Sequence, residues 1–230
     1  MKYDLNKRMF EKVTYFDIDI IDIITANWVK EFKQDFKKNP LSPKSCALLI
    51  LDMQRLFFDE KSHAYIPSAH SIISKIKGCA SLFNQHGLPV IMTRHINNEG
   101  NARLMSQWWK HIIQEKDASS QIIPELNFKN STLLNKSQYD AFLDTPLENL
   151  LNEKDVTQLV ITGVMTHLCC ETTARSAFQR GYTVFFPVDG TATYNDSFHR
   201  ATLLNLAHGF AHITHMTNII NEIENEFNQN

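Results

Sequence analysis

The stretch LVITGVMTHLCCETTARSAFQRGYTVFFPVD, residues 159–189, predicts a strand, a turn, a helix and a second strand. Its first residues are apolar or β-branched, and Gly163 interrupts them. Apolar residues then recur at helical spacing over residues 166–180, a glycine follows where a helix would end, and residues 182–188 again read as a buried strand. This β-α-β unit places Cys169 in the first helical turn, just beyond the end of a strand.

Cys169 is either a reactive thiol or a small core residue. The thiolate is the nucleophilic form of cysteine, and the N–H groups and partial positive charge at a helix N-terminus lower the pKa of a thiol. Free cysteine, however, also packs as a small hydrophobe. The side chains of Cys169 and Cys170 point about 100° apart on a helix, so at most one faces the turn. The stretch by itself suggests a nucleophile without proving one.

The rest of the chain repeats the alternation of strands and helices. Further strands are predicted at residues 47–51, 89–93, 131–135 and 210–214, and further helices at residues 66–86, 104–113, 146–154, 196–207 and 218–227. Repeated alternation predicts a three-layer α/β fold, with a central parallel sheet of about six strands and helices on both faces.

Residues 1–45 are predicted to be an N-terminal extension that packs on the domain of residues 46–230 or on a partner subunit. Residues 13–24 are β-rich but acidic, which favours an edge strand or hairpin. Thr25 then suits the N-cap of a helix over residues 26–38.

Composition narrows the possible functions. The 230 residues are 43% hydrophobic and 21% charged, with a formal net charge of −2, so neither nucleic acid nor an anionic membrane is an expected partner. No apolar run approaches the roughly 18 residues of a membrane span, and the start lacks a signal-peptide pattern. The four cysteines form no C-x-x-C pair, which favours reduced thiols in the cytoplasm. The seven glycines form no nucleotide-binding pattern, and no cofactor is expected.

Three motifs occur in order along the chain: ALLILDMQRLF at residues 47–57, KSQYDAF at residues 136–142 and GVMTHLCCETTARSAF at residues 163–178. Together they resemble the isochorismatase-like hydrolases, a superfamily that includes nicotinamidases and carbamoyl-amide hydrolases. The resemblance spans roughly residues 47–214 and implies the isochorismatase-like fold.

The resemblance implies a catalytic triad of Asp52, Lys136 and Cys169. Each lies at or just beyond the C-terminal end of a predicted strand, the edge where α/β sheets bind ligands. Cys169 would attack a carbonyl, Asp52 would accept its proton and Lys136 would stabilise the charges. We expect the pKa of Asp52 to be raised by a partly dry crevice, as a base requires. The family also implies an oxyanion hole of the backbone N–H groups of Met165 and Cys169, with a cis peptide bond between Val164 and Met165.

Substrate contacts are expected from Phe57, Arg103, Trp109 and Tyr139. In isochorismatases an arginine and then a tryptophan meet the substrate in the region of Arg103 and Trp109, and Tyr139 matches a substrate-side tyrosine. Some relatives bind zinc through an aspartate and two histidines after the second strand. Here that loop holds only His95 and no suitable aspartate, so no metal is expected, and nicotinamidase is disfavoured as the specific activity.

The thiol favours hydrolysis of the C–N bond of a small amide or ureide through a thioester on Cys169. An isochorismatase-type vinyl-ether hydrolase using Asp52 and Lys136 is the alternative, because VMTH at residues 164–167 is close to the VYAH of that branch. A non-catalytic binding or scaffold module is the third reading, although all three reactive groups are present. We also predict a homo-oligomer, a dimer or a tetramer.

Overall fold

A computed structural model describes residues 10–32, 40–109 and 111–228. Within these residues, seven strands form one parallel sheet: Cys46–Leu51 (β1), Val90–His95 (β2), Thr132–Lys136 (β3), Gln158–Val164 (β4), Thr183–Pro187 (β5), Thr191–Ala192 (β6) and Ala211–Thr214 (β7). The strand order is β3-β2-β1-β4-β5-β7, and the short β6 pairs with the end of β4. The predicted parallel α/β fold is confirmed.

In the same described ranges the α-helices are Ile21–Phe32 (α1), Ile73–Gln85 (α2), Met105–Trp108 (α3), Leu147–Asn152 (α4), Glu171–Gln179 (α5), Asp196–Gly209 (α6) and Met216–Asn228 (α7). Helix α2 packs on β1, β2 and α7, while α5 packs on β5 and α6. Strand β1 is buried along its whole length because helices cover the sheet, which explains its uninterrupted apolar sequence. No helix in the described ranges is both long and apolar enough to cross a membrane.

The sheet topology brings three distant parts of the chain to one edge. Strand β1 lies between β2 and β4, and β3 pairs with the outer side of β2. All of these pairs are parallel, so Asp52, which follows β1, lies at the same edge as Lys136 at the end of β3 and the turn that follows β4. This edge gathers the three residues that the sequence singled out.

The predicted helix over residues 166–180 has two parts. Thr166–Cys170 forms a π-helical turn, in which the N–H of Cys170 donates to the carbonyl oxygen of Met165 at 3.2 Å, and α5 begins only afterwards. A π turn holds one residue more than an α turn and is frequent at functional sites. Cys169 therefore lies in a widened turn rather than at a regular helix N-terminus.

The prediction of a strand or hairpin at residues 13–24 is wrong. Helix α1 begins at Ile21, and Thr25 lies inside it, with its hydroxyl donating to the carbonyl oxygen of Ile21 at 2.7 Å instead of capping. The buried residues Ile21, Thr25 and Trp28 follow helical spacing, so burial of this face overrides the β preference of the branched residues. The predicted C-terminal end of this helix lies outside the described residues.

Candidate active site

A buried ion pair lies at the C-terminal edge of the sheet. The Nζ of Lys136 is 2.7 Å from Oδ2 of Asp52, and neither side chain is exposed to solvent. Asp52 leaves β1 with a positive φ of 51°, and its Oδ1 accepts a hydrogen bond from the Thr93 hydroxyl at 2.7 Å. A buried charge is tolerated when it is paired and hydrogen-bonded, and both conditions are met here.

The same ammonium group contacts the candidate nucleophile. Nζ of Lys136 lies 3.3 Å from Sγ of Cys169 and donates to the carbonyl oxygen of Gln138 at 2.9 Å. Nδ1 of His95 is 3.5 Å away. The Lys136 ammonium thus links the Asp52 carboxylate to the Cys169 thiol. This arrangement suits proton transfer from the thiol and stabilisation of a negative charge on sulfur.

The ionisation of the three groups differs from the sequence-based expectation. Burial raises the pKa of the Cys169 thiol, Lys136 lowers it and Asp52 raises it, and the result is a pKa of about 12. The expectation of a lowered thiol pKa is therefore wrong. Burial also acts to raise the pKa of Asp52, but Lys136, His95 and the hydrogen bonds from Cys169 and Lys136 oppose it, so this pKa is lowered rather than raised. At neutral pH the site holds a carboxylate, an ammonium and a neutral thiol.

His95 is neutral and fixed in place. Burial, followed by the charge of Lys136, lowers its pKa to about 4. Its Nε2 is 2.8 Å from Oδ1 of Asn97, and the side chain of Gln54 bonds both its N–H, at 2.8 Å, and its carbonyl oxygen, at 3.0 Å. The imidazole therefore supports the ion pair from one side without adding charge.

Asp52, His95 and Cys169 also form a group of possible metal ligands, with ligand atoms within 4.8 Å of one another. The ammonium of Lys136 contacts all three of these atoms. A divalent cation among them would meet a buried positive charge at close range, which strongly disfavours binding. This ligand set does not fit zinc, and a metal-free site remains a prediction.

A cavity opens in front of the thiol. Cys169 lines it, whereas Cys170 is fully buried, with its Sγ 4.0 Å from the carbonyl oxygen of Thr162. The peptide bond between Val164 and Met165 is cis. The further lining residues are largely apolar and aromatic: Leu56, Phe57, Ala64, Met105, Trp109, Ile112, Ile113, Tyr139, Met165 and Leu168.

Three of the four predicted substrate contacts line this cavity. Phe57, Trp109 and Tyr139 do so, and the indole N–H of Trp109 donates to the Tyr139 hydroxyl at 2.9 Å. Arg103 is not among the lining residues. It is exposed, and its guanidinium pairs with Asp144 at 2.7 Å.

Two histidines of the cavity wall were not predicted from the sequence to contact substrate. His63 and His111 both line the cavity and place their rings 5.6 Å apart in an edge-to-face arrangement. They come from separate loops and follow no motif spacing, so periodicity offers no signal for them. They add hydrogen-bonding groups to a mostly apolar wall.

The chain is similar to several known proteins. The family model described as the isochorismatase domain matches residues 46–218. Nicotinamidase 3 of Arabidopsis thaliana is 36% identical over 186 residues, which cover 79% of this chain and 90% of that protein. The isochorismatase of Bacillus subtilis (strain 168) is 29% identical over 83% of this chain, which spans only 63% of that protein. A crystal structure of a cysteine hydrolase from Pseudomonas syringae pv. phaseolicola 1448A superposes with a TM-score of 0.76 at 25% identity, covering 81% of this chain and 95% of that one.

Proposed function

The chain belongs to the isochorismatase family, and from that premise we propose that it hydrolyses the C–N bond of a small amide through a thioester on Cys169. One observation carries this proposal: the thiol that lines the cavity lies 3.3 Å from the ammonium of Lys136, which in turn lies 2.7 Å from the Asp52 carboxylate. The proposed nucleophile Cys169, the charge-stabilising Lys136 and the base Asp52 are therefore adjacent to one another beside the cavity. The enzyme class follows from the family, whose members are hydrolases.

The first half of the reaction transfers the acyl group to sulfur. The lowered pKa of Asp52 keeps its carboxylate ionised at rest, and the thiol is neutral. Asp52 therefore takes the thiol proton only as Sγ bonds to the carbonyl carbon and the C=O electron pair moves onto oxygen, so that no free thiolate has to form. Lys136 stabilises the sulfur as its negative charge develops. We place the tetrahedral oxyanion against the backbone N–H groups of Met165 and Cys169. Collapse of the intermediate breaks the C–N bond, and the leaving amine takes the proton from Asp52.

The second half returns the enzyme to its starting state. Asp52 accepts a proton from water as the water oxygen attacks the thioester carbonyl. The C–S bond then breaks, and the departing sulfur takes the proton from Asp52. The sum is one amide and one water converted to a carboxylic acid and an amine, and no metal enters any step.

The cavity supports a substrate with a flat, largely apolar acyl group. Phe57 and Trp109 provide aromatic surface, and the Tyr139 hydroxyl provides a polar contact. The name of the Arabidopsis relative makes nicotinamide a first amide to assay, although the described residues do not bring together an aspartate and two histidines as zinc ligands.

The test is capture of the acyl-enzyme from a panel of small amides, ureides and isochorismate. Intact-protein mass spectrometry should show an acyl adduct, and peptide mapping should place it on Cys169. Cys169→Ala and Cys169→Ser should abolish both adduct and turnover. Turnover of an amide by Cys169→Ala would refute the thioester route.

Vinyl-ether hydrolysis remains the second candidate, because the Asp52 carboxylate reaches the cavity and an isochorismatase is among the relatives. That reaction needs the acid–base group but no sulfur nucleophile. If it is the true activity, Cys169→Ala should keep substantial turnover of isochorismate while Asp52→Asn loses it.

We also propose a homo-oligomer in the cytoplasm. Support comes from large apolar side chains exposed on the N-terminal segment: Phe10 at 63%, Ile18 at 64% and Ile23 at 66%. All four cysteines are unpaired, as in a reducing compartment. Light scattering at several protein concentrations should give the mass of a dimer or tetramer, and a monomer throughout would contradict this proposal.

A further inference from the structure

Residues 11–16 precede the matched family domain, yet they form hydrogen bonds with two separate parts of it. The backbone N–H of Val13 donates to the carbonyl oxygen of Tyr194 at 2.9 Å, and the side-chain amide of Asn195 donates to the carbonyl oxygen of Glu11 at 2.9 Å. On the other side, the hydroxyl of Ser68 accepts from the N–H of Tyr15 at 3.0 Å. The segment thus connects the loop after β6 to the 3₁₀ helix Pro67–Ile72, which leads into α2.

Lys12 links the loop after β6 to the wall of the substrate cavity. Its Nζ donates to the carbonyl oxygen of His63, and the same ammonium lies 4.5 Å from the centre of the Tyr194 ring. His63 lines the cavity. Through this hydrogen bond and this cation–π contact, Lys12 fixes the position of His63 relative to the loop after β6.

Tyr15 is connected to the turn that carries Cys169 through Thr193 and His167. Its hydroxyl accepts a hydrogen bond from the N–H of Thr193 at 3.1 Å and lies 2.9 Å from Nδ1 of the buried His199. Oγ1 of Thr193 is 2.6 Å from Nδ1 of His167, which belongs to the π turn that carries Cys169. The chain of contacts runs from the N-terminal segment to the turn that holds the nucleophile.

We infer that residues 11–16 position parts of the active site. Lys12 positions the part of the cavity wall that contains His63, and Tyr15 positions the turn that contains Cys169. Neither side chain lines the cavity, so both act through the residues they hold. The kinetic part of this inference rests on the proposed function, whereas its structural part does not. The two residues should affect different kinetic parameters, because one supports a substrate contact and the other supports the nucleophile.

For Lys12, the informative pair of variants is Lys12→Met and Lys12→Arg. Lys12→Met keeps the aliphatic stem and should raise KM about tenfold, as loss of one charge-assisted hydrogen bond predicts, with kcat within about twofold. Lys12→Arg should restore most of the affinity, because a guanidinium also donates hydrogen bonds and packs on aromatic rings. Lys30→Met is the matched control, since Lys30 is exposed on α1, outside residues 11–16.

For Tyr15, the variant is Tyr15→Phe, which keeps the ring and removes the hydroxyl. It should lower kcat about tenfold with little change in KM, because small displacements of a nucleophile are costly to catalysis. All assays are run well below the melting temperature of each variant, so that partial unfolding does not mimic the effect. Unchanged kcat and KM, or equal changes in both parameters for both residues, would overturn the assignment.

Hydrogen exchange tests the positioning without any substrate. The amides of Ala64 and Ile66 are hydrogen-bonded, to the Ser62 hydroxyl at 3.0 Å and to the carbonyl oxygen of Phe57 at 3.0 Å, and should exchange slowly. Lys12→Met should speed their exchange about tenfold, and Lys30→Met should not. Faster exchange in Lys12→Met, together with no amide turnover by the wild type, would support the positioning and refute the proposed function. Wild-type exchange in Lys12→Met would overturn the positioning itself.

Discussion

Replacing Lys136 by methionine tests what the ion pair contributes to stability and what it contributes to turnover. Methionine fills a similar volume but leaves the Asp52 carboxylate, whose side chain is fully buried, without the ammonium that lies 2.7 Å from it. Breaking a buried pair in this way costs about 3–5 kcal/mol of unfolding free energy. For a domain of this size, that corresponds to a fall in Tm of roughly 6–20 °C. Turnover should fall by about 10³-fold or more, because the developing charge on sulfur loses its nearest stabilising group.

The destabilisation should also depend on pH. In the wild type the pKa of Asp52 is lowered, so the ionised carboxyl stabilises the fold above its unfolded pKa, and this contribution is lost as the pH falls through the folded pKa. In Lys136→Met, burial is no longer opposed by the ammonium, so the pKa of Asp52 should rise above its unfolded value of about 4. Its contribution then reverses and is lost as the pH rises. The difference in stability between wild type and variant should therefore grow between about pH 4 and 8.

The control is the double variant Asp52→Asn/Lys136→Met, which removes both charges. It should be more stable than Lys136→Met at pH 8 yet equally inactive, because no unpaired charge remains in the interior. Urea unfolding at several pH values and steady-state kinetics provide the two readouts. A pH-independent loss of less than about 1 kcal/mol, or a double variant no more stable than the single one, would refute the reasoning.

Three further outcomes are expected. Iodoacetamide should modify Cys169 before the fully buried Cys170, at a rate that rises with pH because the thiol pKa is about 12; equal labelling in the folded protein would sink the assignment of the nucleophile. Gly163→Ala should destabilise the protein by about 3 kcal/mol or more, because a Cβ there would lie 2.1 Å from the carbonyl oxygen of Leu51 at a φ of +109°. Gly78→Ala in α2, where the new Cβ has no heavy atom within 4 Å apart from the adjoining backbone of its own helix, should be neutral or stabilising by up to about 1 kcal/mol. Denaturant unfolding that ranks the two variants the other way would contradict this argument. Activity should survive exhaustive treatment with EDTA, whereas stoichiometric zinc in the purified protein, with activity lost on its removal and regained on its return, would reopen the zinc-dependent branch of the family.

The strands of the sheet were predictable because parallel, doubly covered strands need long apolar runs. The predicted strand at residues 47–51 differs from β1 by one residue, and the positions of Asp52 and Lys136 at the ends of predicted strands were enough to place both at one edge. The N-terminal segment was mispredicted because its branched residues favour strands, while the face defined by Ile21 and Trp28 is buried as a helix. Local preference was weaker than tertiary burial there.

The ionisation states could not be predicted from the sequence, because they depend on distances that only folding sets. A thiol near a helix N-terminus suggested a lowered pKa, but burial and the nearby carboxylate reverse the sign for Cys169. For Asp52, the ammonium at 2.7 Å likewise outweighs burial. The π turn and the His63–His111 wall escaped prediction for a related reason, since neither leaves a periodic trace in the sequence.

The raised pKa of Cys169 also bears on how the enzyme tolerates oxidants. Peroxide attacks the thiolate, and the sulfenic acid it forms is the first step towards irreversible damage. Because the pKa is about 12 and only 6% of the residue is exposed, the resting thiol gives peroxide little thiolate to attack. In the mechanism proposed above, proton transfer to Asp52 exposes the electron pair on sulfur only when a carbonyl carbon is in place, and by then the substrate covers the sulfur. The proposed nucleophile would thus be protected between turnovers by the same burial that makes it depend on a neighbouring base.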